Sequence, residues 1–341
     1  MKKYIFPFIC MVLLLLSGCA VEDTKVLMED EETYQLFHTA FIAEDKLLVV
    51  KRHVDDFALN KIEVIDVNSK KNTLIYEGAF FESYEIKCEL LPDGIFYIGT
   101  ETKAMLLDTS SYEFSVIALP KDSWTTQISS DGEAFFYVKG YALYKMNRRD
   151  ASRELICVFP NEEGIHSVNN FSRLNEAGDK FLYMLVKENL NIDIFIADID
   201  AKTFQKMETD RSVGFFMGED ALLVQDGFIA ESPARLFVAS SANGYIAEEK
   251  IDFAGYMLNV LYTHSNGALL EKADESQSVG YLLVRSLIYY NKETGEEETL
   301  TDGHINVCSA AVSPDQSRLA YIAWPVDEEH AKLFLTDFSI K

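Results

Sequence analysis

Six histidines, His38, His53, His166, His264, His304 and His330, carry the side chains best suited to metal binding or proton transfer near neutral pH, and no two of them stand at i, i+2 or i, i+4. Cys88, Cys157 and Cys308 show neither zinc-ligand spacing nor a disulfide framework. No Gly-x-Ser-x-Gly elbow is present, so the chain carries no signature of a serine hydrolase of that type. The acidic groups Asp55-Asp56 and Asp327-Glu328-Glu329-His330 lack the Asp-x-Asp-x-Asp-Gly order of a calcium loop and read as a solvated rim rather than a cation site. Local spacing thus assigns no metal, no cofactor and no catalytic residue.

Distant side chains can still converge if the fold gathers successive segments around one axis, and the sequence points to such a fold. From Tyr34 onward, short runs of Tyr, Phe, Val, Ile and Leu alternate with turns of Asp, Asn, Gly and Ser, which is strand punctuation rather than helical periodicity. Only Ser212 to Phe216 and Glu271 to Ser276 are ambiguous. Seven turns recur, at Ala43-Glu44-Asp45, Pro92-Asp93-Gly94, Ser130-Asp131-Gly132, Glu176-Ala177-Gly178, Gly218-Glu219-Asp220, Ser265-Asn266-Gly267 and Pro314-Asp315-Gln316. Their spacing of roughly 38 to 50 residues is the repeat of a four-stranded propeller blade. Asp or Asn bonds to its own backbone and Gly accepts positive φ, so each triplet closes a hairpin between a first and a second strand. A third strand ending in an acid or Asn, a polar turn and a fourth strand follow.

The expected fold is therefore all-β, a seven-bladed β-propeller of four-stranded antiparallel blades. The last unit offers strands at Val307–Val312, Arg318–Trp324 and Lys332–Phe338 but no fourth. Lys25 to Met28 is expected to supply it and close the ring, since an open sheet edge would otherwise remain. On this reading the loops entering each innermost strand bring Phe80 to Tyr84, Trp124, His166, Tyr256 and His304 to the channel mouth. Aromatic and imidazole groups there suit a ligand pocket with stacking surfaces and polar handles. The competing reading packs the aromatics between blades and leaves the histidines on surface loops.

The 341 residues are close to half apolar, ample for one large core, and carry a net charge of −24. Such a surface repels nucleic acid and anionic headgroups, so nucleic-acid binding is not expected. The first 18 residues read as a targeting segment: Lys2 and Lys3 precede an apolar run from Ile5 to Leu16 that is too short to span a bilayer. Leu16-Ser17-Gly18-Cys19 resembles the lipobox of bacterial lipoproteins. The resemblance implies cleavage before Cys19, lipidation of Cys19, a tether over 19–33, and a propeller domain over 34–341 held outside the cytoplasm by its lipid.

The segments "VSPDQSRLAYIAW" and "AKLFLTDFS" resemble the repeat of TolB-like, WD-repeat-like β-propellers, in which a Ser-Pro-Asp-Gly turn precedes an apolar strand and a later strand ends in Asp. "ISSDGEAFFYVKGYALYKMN" and "LNEAGDKFLYMLVKENLNIDIFIADID" are similar, while the other units are degenerate and Gln316 replaces the usual glycine. The resemblance implies architecture more than activity. The function expected is a non-catalytic binding or scaffolding module for an envelope protein, peptide or glycan. The alternatives are an envelope lyase or hydrolase with a histidine or metal site in the channel, and a ligand-sensing subunit for a membrane partner.

Overall fold

The computed structural model describes residues 24–79, 87–99, 103–121, 123–160, 165–187, 192–207, 212–226, 235–245, 247–251, 256–273, 284–326 and 328–338. After the first strand, β1 (Lys25–Glu29), five four-stranded antiparallel sheets follow in chain order. Blade 1 is β2 (Tyr34–Ala43), β3 (Lys46–His53), β4 (Leu59–Asp66) and β5 (Asn72–Ala79). Blade 2 is β6 (Lys87–Leu90), β7 (Ile95–Gly99), β8 (Lys103–Asp108) and β9 (Phe114–Ala118). Blade 3 is β10 (Ser123–Ile128), β11 (Ala134–Lys139), β12 (Ala142–Asn147) and β13 (Arg153–Val158). Blade 4 is β14 (Ile165–Leu174), β15 (Lys180–Lys187), β16 (Ile192–Asp198) and β17 (Thr203–Met207). Blade 5 is β18 (Ser212–Met217), β19 (Ala221–Asp226), β20 (Arg235–Ser240) and β21 (Ala247–Ile251).

The last two blades share a strand. Blade 6 is β22 (Tyr256–His264), β23 (Gly267–Ala273), β24 (Arg285–Asn291) and the first part of β25 (Glu297–Val312). The later part of β25 becomes the inner strand of blade 7, paired with β26 (Arg318–Pro325), which pairs with β27 (Lys332–Asp337). The expected strand Val307–Val312 is thus the later part of a longer one, which runs on from the outer edge of blade 6. The fourth strand of blade 7 is β1, antiparallel to β27 with Lys25 opposite Leu335 and Glu29 opposite Lys332. The fold is thus a seven-bladed propeller of four-stranded antiparallel blades, and the ambiguous Ser212–Phe216 lies in a strand.

The cores lie between blades, which shows the circular order directly. One cluster joins blade 1 to blade 2 through Leu48, Ile62, Phe96 and Met105, and another joins blade 2 to blade 3 through Tyr97, Leu106, Phe135 and Tyr137. Ring closure buries Leu47, Val49 and Ile65 of blade 1 against Ala320, Ile322 and Leu333 of blade 7, with Leu27 and Met28 of β1 packed on the same cluster. Each middle strand is covered on both faces. That is why Leu47–Val50 and Phe135–Val138 read as unbroken apolar runs instead of alternating ones.

Asp30 fastens the closure. Its Oδ1 accepts from the Leu36 amide of blade 1 at 2.6 Å and its Oδ2 from the Ala331 amide beside blade 7 at 3.1 Å. Glu31 next to it pairs with Lys51 and with Lys61 of blade 1.

Turn chemistry repeats as the spacing implied. At the outer hairpins the terminal acid or amide of the third strand accepts from amides of the turn: Asp66 from Asn68 and Ser69, Asp108 from Ser110 and Ser111, Asn147 from Arg149 and Asp150, and Asn291 from Glu293 and Thr294. At the inner hairpins Gly94, Gly132 and Gly178 take φ of 75°, 74° and 74°, and Gln316 occupies the equivalent place with φ 57°. A side chain is tolerated there at a local cost.

Candidate functional site

The inner strands β2, β6, β10, β14, β18, β22 and the later part of β25 line the centre of the ring. Contacts run from β2 to β6, from β10 through β14 and β18 to β22, and from β22 to β25 and back to β2. Bulges interrupt this layer. They fall between Leu36 and His38, Phe41 and Ala43, Trp124 and Thr126, Ile165 and Ser167, Met257 and Asn259, Val260 and Tyr262, His304 and Asn306, and Val307 and Ser309, while the register of β14 slips again between Asn169 and Arg173. Bulges bend a strand and re-aim its side chains, so these strands present residues to the axis that simple alternation would bury.

Two adjoining cavities of about 510 and 460 Å3 fill the channel toward the end that carries the inner hairpin turns, and they share Glu89, Gln127, Arg173 and Tyr262 in their walls. The sequence explains this sharing. Glu89, Gln127, Arg173 and Tyr262 each stand three residues before a turn triplet, those beginning at Pro92, Ser130, Glu176 and Ser265. The same position is Ala40 in blade 1, Phe215 in blade 5 and Ala311 in blade 7, and both alanines line the larger cavity. Around the ring this layer reads Ala40, Glu89, Gln127, Arg173, Phe215, Tyr262, Ala311. It has a polar arc on blades 2 to 4, an aromatic arc on blades 5 and 6, and a gap made by small residues where blades 7 and 1 meet.

Glu89 is partly buried, and desolvation pushes its carboxyl up to about 7. The neighbouring Tyr97 phenol, fully buried, is held well above its ordinary value by burial first and then by the charge of Glu89. Gln127 Oε1 accepts from the Leu174 amide at 3.5 Å, which turns its NH2 group to the donor role in the channel. The Arg173 guanidinium lies 5.8 Å from the centre of the Phe215 ring.

His38, at the wall of the larger cavity, faces Ser309 of blade 7, with Nδ1 and Oγ 3.2 Å apart. Burial lowers its imidazole to about 4, so it is neutral at physiological pH. Ser309 is 5% exposed and its Oγ already accepts from the Thr39 amide at 3.2 Å. The pair therefore serves as a seam between the first and last blades. Cys88 on the same wall is held as a thiol by burial, its pKa far above the ordinary range.

Trp124 and His166 are the second residues of β10 and β14, Tyr256 is the first of β22, and His304 begins the part of β25 that pairs with β26. The backbone thus sets all four at the leading ends of inner strands, opposite the turn end where the two cavities lie. Their side chains, like Phe80 to Tyr84 and Cys19, lie outside the described residues. Asp55 and Asp56 are exposed and donate their backbone amides to His53 Nδ1. Asp327 lies outside the described residues, and among the described ones no three His, Cys, Asp or Glu side chains group as metal ligands. The polar arc was missed because no single strand announces it. Its signal is the residue three places before each turn triplet, visible once the seven triplets are aligned.

The fold and this channel define a β-propeller with a ligand-sized central pocket. No known family profile and no curated protein sequence matches the chain. Among solved structures it is similar to the Kuenenia stuttgartiensis hydrazine synthase, with a TM-score of 0.56 and 11% identity over 86% of this chain and 93% of that one. It also resembles an acylaminoacyl peptidase from Pyrococcus horikoshii, with a TM-score of 0.51 and 13% identity, covering 91% of this chain but only 46% of the peptidase. TolB from Acinetobacter baumannii aligns with a TM-score of 0.46 and 13% identity over 86% of this chain and 80% of that one. Likeness at these identities is one of fold.

Proposed function

We propose that this chain is an extracytoplasmic lipoprotein, anchored through Cys19, whose propeller is a non-catalytic binding module that takes its ligand at the turn end of the central channel. The observation that supports it most is the chemical unevenness of one layer on a repetitive scaffold. Here six of the seven residues, an acid, an amide, a base, a tyrosine and two alanines, line cavities of about 510 and 460 Å3, and the seventh, Phe215, is buried in the core. A few polar groups converging on a concavity are what fix a ligand's orientation. An envelope protein that inserts a segment, a peptide or a glycan are the partners this reading carries.

Anchoring follows from the lipobox-like Leu16-Ser17-Gly18-Cys19, and β1, which starts at Lys25, would place blade 7 nearest the membrane. Two measurements test the reading. Cells fed an alkynyl fatty acid should label the wild-type chain and not Cys19→Ser, which should also leave the membrane fraction; label on the variant would refute the anchor. Thermal-shift and calorimetric screens of the detergent-solubilised full-length protein against defined peptides and glycans should yield binders that Gln127→Ala weakens. Binders indifferent to every wall residue would refute the channel as the site.

A further inference from the structure

Three consecutive inner strands bring Glu89, Gln127 and Arg173 to the same level of the channel, and all three line both cavities. One side of this arc is anionic, the other cationic, and a neutral amide stands between them. The wall opposite carries Tyr262 on blade 6 and the small Ala311 and Ala40, which leave open space. No hydrogen bond or ion pair joins Glu89 to another described side chain. Its displaced pKa has the same origin, since loss of solvent acts there without a compensating cation among the described residues. The other titratable groups in the walls are His38 from β2, Cys88 from β6, Tyr97 from β7, Arg173 from β14, Tyr262 and His264 from β22, and Glu176 from the blade 4 turn.

We propose that this end of the channel binds a zwitterion, its ammonium met by Glu89, its carboxylate by Arg173 and the Gln127 amide, and its body laid in the gap beside Ala40 and Ala311. The inference deepens the binding reading above and rests on it. A ligand with only an ammonium would be opposed by Arg173, and one with only a carboxylate by Glu89. A molecule that carries both charges meets each with its complement, and a carboxylate suits the planar fork of a guanidinium. The space fits an ω-amino acid or a peptide of a few residues; the two share the terminal chemistry and differ in the backbone between.

The test uses the detergent-solubilised full-length chain and matched probes. 6-Aminohexanoate carries both charges, hexylamine and hexanoate carry one each, and tri-alanine presents the same two ends on a peptide. Calorimetric titration should show 6-aminohexanoate or tri-alanine binding at least about tenfold more tightly than either single-charge probe. Tighter binding of tri-alanine would assign the zwitterion to a peptide source, and tighter binding of 6-aminohexanoate to a free amino acid. Glu89→Gln and Arg173→Gln should each lose about tenfold or more for the zwitterion, while Glu89→Gln should bind hexanoate better and Arg173→Gln should bind hexylamine better. Ala311→Leu, which keeps both charges, should block by filling the gap and guards against misfolding of the charge variants. Zwitterions no better than hexylamine and hexanoate, or unchanged affinity in Glu89→Gln, would overturn the inference. Glycan or protein binding that ignores Glu89 would overturn it too, yet leave the binding module standing.

Discussion

Replacing Glu89 by Gln should make the ligand-free protein more stable at high pH and leave it nearly unchanged at low pH. The carboxyl titrates at about 7 in the folded chain, against 4.5 for an ordinary glutamate, because burial disfavours its charged form. Below the lower value both folded and unfolded chains hold the proton. As pH rises from there, the unfolded chain releases it first, so the folded state binds more protons and stability falls until the folded group has also ionised. That difference corresponds to about 3 kcal/mol lost above neutral pH. Water in the channel will screen part of it, so about 2 kcal/mol is a reasonable expectation for the measured effect. Gln has the same shape and cannot ionise, so the variant avoids the loss. Urea unfolding of both proteins at about pH 4 and about pH 9, with m-values compared to confirm equal exposure, isolates the group, since all other titrations largely cancel in the difference. A difference that does not change with pH, or a variant less stable at high pH, would refute the claim that burial raises the Glu89 carboxyl.

Three further perturbations follow from the geometry. Gln316→Gly should add about 0.5–1 kcal/mol, because Gln316 holds φ 57° where three sister turns use glycine, and Gly94→Gln should lose a similar amount; chemical denaturation reads both. Gly99→Ala should cost about 3 kcal/mol, since its Cβ would stand 1.9 Å from the Tyr97 hydroxyl inside the core; the double variant with Tyr97→Leu should recover part of it, and additive losses would argue against this contact. Asp30→Ala should cost about 2–3 kcal/mol and speed amide exchange selectively in β1 and β27, because it removes two amide acceptors at the seam of the ring; uniform exchange across all blades would count against a clasp.

Much of the architecture was legible because blades are built from local rules. Asp, Asn and Gly at the hairpins act through bonds to their own backbone and through φ, neither of which needs distant contacts, so the turn triplets marked the repeat correctly. The missing fourth strand of the last unit and the apolar Lys25–Met28 segment forecast the closure that β1 makes with β27. Leu16-Ser17-Gly18-Cys19 is likewise a local pattern, readable without any tertiary contact. What the chain alone could not decide was which residues face the axis. The inner strands are bulged, and each bulge shifts the alternation of side chains, so strand position does not give side-chain direction. The strand-leading residues Trp124, His166, Tyr256 and His304 were predicted from loop position. Glu89, Gln127 and Arg173, scattered over 85 residues of sequence, meet only because seven sheets close into a ring and bury one layer together. Turn identity is set by forces acting over four residues. The channel is set by closure of the whole chain, so no single strand marks its layer, and only alignment of all seven turn triplets does.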